Sequence, residues 1–139
     1  MGSRFWISVA ALFVLSMAIG FLGHGALLHG DYAQLPDLLR TEAEMNARFG
    51  WMALAHLIGA IGFVWIYLKG RQAGRSALGQ GLRFGAAVAL MAVVPMYLVH
   101  YTVQPWPGMV VVKQIACDVI GALIKGAAVA LIHRGPGAV

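Results

Sequence analysis

Four long stretches of the chain run almost free of charged side chains, and the polar residues gather between them. The first extends from Phe5 to about Leu28, with no charge after Arg4. The apolar core of a secretory signal peptide is only about 7 to 15 residues, and Gly23-His24-Gly25 is a poor cleavage site, so this stretch is read as a retained helix. The second runs from about Phe49 to Leu68, the third from Leu78 to Thr102 and the fourth from Met109 to Ile132. A helix of about 20 apolar residues is long enough to cross the hydrocarbon of a bilayer. The pattern therefore predicts an all-α fold, an integral membrane four-helix bundle, as a single domain over residues 1–139.

The punctuation between the stretches refines this outline. Trp51 and Trp65 flank the second span, as interfacial aromatics do. Gly81, Gly85 and Ala89 lie at every fourth position of the third, a spacing that lets two helices approach closely. Pro95 is expected to kink that span. Gln104 to Gly108 read QPWPG, a rigid hairpin. In segment 30–48, Pro36 is placed to open a short helix. Leu35, Leu38, Leu39, Met45 and Phe49 give that segment an apolar face, so a short amphipathic helix on the membrane surface is expected in this first outer loop.

Composition supports lipid as the solvent. Of 139 residues, 60% are hydrophobic and 11% charged, against about 25% charged in soluble domains. The net charge of +5 would fit nucleic acid if it were clustered on one surface, but it sits at the membrane edges. Lys69, Arg71 and Arg75, with Arg83 close by, occupy the second connection, and Arg4 and Arg134 the two ends, whereas the first connection is net acidic and the third uncharged. The positive-inside rule then places both termini in the cytoplasm, and no nucleic-acid partner is expected. Cys117 is the only cysteine, which excludes an intramolecular disulfide.

Candidate chemistry lies inside the spans. His24, His56 and His100 each fall near the outer edge of a different span. Lys113 enters at a similar level, and Asp118 lies deeper. Gln114, Asp118, Gly121 and Lys125 share a narrow arc of the fourth helix. An intramembrane carboxylate must be protonated, paired or hydrated, and by depth His56 is the expected partner of Asp118. Asp118, Gln114, His56, His100, Lys113 and Lys125 form the candidate intramembrane polar site. His24 and His56 could also ligate one b-type haem from opposite sides, with Gly59 leaving room for the macrocycle. No closely spaced ligand pair points to zinc or copper. Neither a GxSxG serine nor a phosphate-binding loop is present, so an enzyme is not expected.

The positions Gly81, Gly85, Tyr101, Pro105 and Gly126 resemble the pattern of a bacterial family of small four-helix membrane proteins of unknown function. The first span, with GHGALLHG, departs from that pattern. The resemblance implies a protein of the bacterial cytoplasmic (inner) membrane and no particular activity.

Three functions remain open on sequence. The leading one is an accessory or assembly-dependent subunit of a membrane complex, as a homo-oligomer or with other membrane subunits, with a polar site in its outer half. The second is an electron carrier with haem b on His24 and His56. The third is a small proton-coupled transporter or channel around Asp118.

Overall fold

The computed structural model of the protein describes residues 2–134, all helices and connections, with no strand among the described residues. Four helices are long and apolar enough to cross a membrane: Ser3–Leu27, Phe49–Gly70, Ala77–Val103 and Gly108–Ile132. They are called spans 1 to 4. A helical hairpin with no polar backbone left over is the natural solution for such stretches, because lipid offers no hydrogen bonds.

Two of the spans are not uniform α-helix. Span 1 consists of α1 (Ser3–Gly20) and a π-helical segment, Phe21–Leu27. Leu28 N–H closes it by donating to Gly23 O at 3.0 Å. Span 3 contains α5 (Ala77–Val88), a π-helical segment Ala89–Val93 and α6 (Val94–Val103). Pro95 stands at the start of α6. Its missing N–H and its ring disrupt the preceding turn, and the wide π turn absorbs that disruption. Spans 2 and 4 are single helices, α4 (Phe49–Gly70) and α7 (Gly108–Ile132).

The first connection departs from expectation. No helix opens at Pro36; instead α2 (His29–Ala33) precedes it, a turn covers it, and α3 (Glu42–Ala47) follows. The start is set by a capping box. Thr41 N–H donates to Glu44 Oε2 at 3.1 Å and Glu44 N–H to Thr41 Oγ1 at 3.4 Å, which satisfies donors at the helix start that Pro36 cannot serve. The same bonds hold the Glu44 carboxyl below its usual range, with the Thr41 backbone as the main cause.

The packing is uneven along the bundle axis. Phe5, Val9, Leu12, Ala60, Phe63, Val64, Tyr67, Val129 and Ala130 form one buried core, and all lie toward the end of the bundle that carries the termini. Phe84 of span 3 joins the core edge-on to Phe63, with ring centres 4.7 Å apart. At the opposite, loop-bearing end, span 2 turns Trp51, Met52, Leu54, Leu57 and Ile58 outward. Spans 3 and 4 meet backbone to backbone. A Cβ on Gly85 would lie 2.5 Å from Ala122 O, and Gly81 and Gly126 each bring their Cα against the other's carbonyl oxygen.

The terminal end is also tied by a polar contact that hydropathy does not reveal. Ser8 donates its single hydroxyl proton to Arg4 O at 2.8 Å, so the 2.8 Å contact with His133 Nε2 is a bond that the imidazole donates. Both side chains are buried. Ser8→Ala is expected to remove this buried bond and to cost about 0.5 to 1.5 kcal/mol, read as a lowered thermal midpoint in mild detergent, with Ser8→Thr closer to the original.

Candidate functional site

A second set of polar residues inside the bundle gathers at the loop-bearing end, around Asp118. The π segment of span 1 adds a residue to the turn and aims His24 at span 4, where Nε2 meets Asp118 Oδ1 at 3.2 Å. Tyr97 of α6 donates its hydroxyl to the other oxygen, Asp118 Oδ2, at 2.6 Å. Three spans thus converge on one carboxylate.

The bonds of this network run in one direction. Gln114 Nε2 donates to the Tyr32 hydroxyl oxygen at 3.1 Å. The phenol then gives its proton to His24 Nδ1 at 2.6 Å, and a neutral His24 carries its own on Nε2, facing Asp118. Asp118 as a carboxylate accepts from His24 and Tyr97, one donor on each oxygen. The His24 and Tyr32 rings lie nearly parallel, at 3°. Partial burial, as the main cause, holds the Tyr32 phenol above its ordinary pKa, so it stays a proton donor throughout the neutral range. Beside it, Lys113 Nζ holds both oxygens of Asp31 at 2.8 and 2.9 Å. That exposed pair contributes at most about 1 kcal/mol, but it fixes α2 over the mouth of span 4.

A cavity of about 950 Å³ lies among spans 1, 2 and 4 beneath the first connection. Its floor carries Ser16, His56 and Lys125, one wall carries His24 and Asp118, and the mouth carries His29, Arg40, Thr41 and Glu42. Between them the lining is apolar. A second, smaller cavity of about 200 Å³ shares Ser16, His56 and Lys125 and continues toward the core past Gly59, Phe63 and Val88. The space exists because span 2 packs on span 1 rather than on span 4.

The sequence-derived site is thereby divided. Asp118, Gln114 and Lys113 are in or beside the network, while Lys125 and His56 face the cavity. His56 is not the partner of Asp118; His24 takes that place, because the π segment turns it toward span 4 while span 2 packs on span 1 and leaves His56 across the cavity. His100 is exposed on α6 and belongs to neither the network nor the cavity lining. Tyr32, Tyr97 and Asp31 are the members that sequence reasoning missed. A half-buried carboxylate inside a span requires donors, and Tyr97, a phenol in an apolar span, was the one signal pointing to it.

Haem fits this arrangement poorly. An axial histidine must offer iron a ring nitrogen, and both nitrogens of His24 are engaged, by Tyr32 and Asp118. His56 packs beside Gly20, where a Cβ would come within 3.7 Å of its Nε2. No group of three or more His, Cys, Asp or Glu side chains placed to hold a metal occurs among the described residues.

Comparisons with family models, curated proteins and solved structures give no match.

Proposed function

We propose that the chain is a multi-pass protein of the bacterial cytoplasmic membrane, with both termini in the cytoplasm, whose outer half binds a small, largely apolar molecule bearing a polar head. The observation that carries this is the cavity. Its volume of about 950 Å³ falls in the range of small-molecule sites, and such sites pair apolar walls with a few convergent polar groups. His24, His56, Asp118 and Lys125 supply those groups. In a membrane protein, ionisable side chains facing a shared space mark function by default. The basic residues of the second connection and the two ends support the orientation.

The accessory-subunit reading drew on glycine-lined faces. Gly81, Gly85 and Gly126 spend those faces on one another within the chain, so binding becomes the leading reading. Release of the bound molecule to either side would make the protein the small transporter that Asp118 first suggested.

Mass spectrometry of small molecules that accompany protein extracted from its own membranes tests the proposal. A defined compound is expected with the wild type and is expected to be lost from Gly20→Phe, whose ring would fill the space beside His56. An identical small-molecule content in both would refute it.

A further inference from the structure

Lys125 is the group that the network around Asp118 leaves unserved. It stands two turns along span 4 from Asp118, well inside the span, and lines both cavities together with Ser16 and His56. No hydrogen bond or ion pair to Lys125 occurs among the described residues. Its Nζ lies 5.9 Å from the centre of the Phe63 ring, so the chain does not extend to water at the terminal end. Asp118, the acid on the same face, has one oxygen on His24 and the other on Tyr97. At the cavity mouth, Arg40 and Glu44 face each other at 3.7 Å. At the floor, by contrast, no hydrogen-bond acceptor among the described residues meets the Lys125 ammonium.

An ammonium group held inside a membrane span is costly unless an anion accompanies it. Water can hydrate it in an empty cavity but does not neutralise it. We propose that the molecule taken by this cavity is a carboxylate with a single hydrocarbon tail, and that Lys125 is its counter-ion. The proposal rests on the cavity being a binding site, as argued above. One positive charge balances one carboxylate, whereas a phosphate monoester would bring a second charge with no partner. His56, beside Lys125, can donate a hydrogen bond to the second carboxylate oxygen. Met17, Phe21, Leu39, Met45, Phe49 and Met52 line the path from this floor to the mouth, which gives the tail its apolar channel. Asp118 on the wall has one oxygen on His24 and the other on Tyr97, so its hydrogen bonds are already made and Lys125 remains the group that the head can engage.

The test is equilibrium binding of radiolabelled oleate and of oleyl alcohol, which has the same tail and no charge, to the full chain in zwitterionic nanodiscs, with empty nanodiscs as background. The wild type is expected to bind oleate saturably and at least about tenfold more tightly than the alcohol, a difference of about 1.4 kcal/mol. Lys125→Met is expected to bring oleate down to the level of the alcohol and to leave alcohol binding unchanged, while Lys125→Arg keeps the preference. Replacing a buried charge by an apolar side chain of similar length spares the fold, and circular dichroism of each variant confirms that it is helical. Equal binding of oleate and alcohol by the wild type, or an undiminished preference in Lys125→Met, would overturn Lys125 as counter-ion and leave the cavity as a binding site. Binding of neither above background would overturn the binding site itself along with it.

Discussion

Gly126→Leu is expected to separate span 3 from span 4 and to destabilise the bundle more than any other single substitution. Even the first side-chain atom at this position would stand against Gly81 O, with Gly85 N 3.0 Å away. Those neighbours are backbone, fixed by their own helix, and cannot rotate aside as a side chain would. Overpacking of a core usually costs about 1 to 3 kcal/mol, and here the cost lies at or above the top of that range. Much of the attraction between membrane helices is close packing of this kind, so separation removes the contact as well as straining it. The measurement is the thermal midpoint in mild detergent, together with circular dichroism and size-exclusion retention. Gly62→Ala is the control, because a Cβ there meets nothing within 4 Å. It is expected to be neutral or to stabilise by up to about 1 kcal/mol through helix propensity.

Asp118→Ala is expected to rank second. Its loss leaves the Tyr97 hydroxyl and the His24 N–H without an acceptor, at about 1 to 3 kcal/mol for each buried donor. His24 and Asp118 are 30% and 28% exposed toward the cavity, so water recovers part of the His24 share. The total comes to about 2 to 4 kcal/mol. Asp118→Asn keeps one oxygen as acceptor and is expected to cost less, with Tyr97→Phe smaller again. Since the three side chains form one network, the effects are not additive. A double-mutant cycle of His24→Ala and Asp118→Ala, read by thermal unfolding, is expected to return a coupling of at least about 0.5 kcal/mol. Strict additivity would show that the two residues stand apart in the membrane.

The spans were legible because lipid leaves an apolar backbone so few choices. Apolar length alone placed their ends within a few residues, and the spacing of Gly81 and Gly85 correctly marked a close helix contact. The site was only half legible. The face shared by Gln114, Asp118 and Lys125 is a property of one regular helix, and regular periodicity transmits it to the structure. The partner of Asp118 is a property of two irregular features. A π turn in span 1 adds one residue and rotates the rest of the span by roughly 100°, which carries His24 onto span 4. The packing of span 2 on span 1 rather than on span 4 leaves His56 across the cavity. Neither shift leaves a mark in hydropathy. Pro36 misled for a related reason: it announces a helix start, but Thr41 and Glu44 supply the hydrogen bonds that a start needs.

Glycine-spaced faces teach a similar lesson. In sequence, Gly81 and Gly85 offer a contact without naming the partner, and a second subunit and a neighbouring span are equally good. The partner is Gly126, which sits in the last long helix of the same chain. The space between spans 1, 2 and 4, with the polar groups that line it, stays open toward other molecules.

The most direct test is a crystal structure of the protein grown from lipid. His24 is expected between Tyr32 and Asp118, with an elongated molecule lying among spans 1, 2 and 4 and reaching His56 and Lys125. A structure in which span 2 closes onto span 4 along its whole length, leaving no space between His56 and Lys125, would contradict a binding site in this half of the bundle.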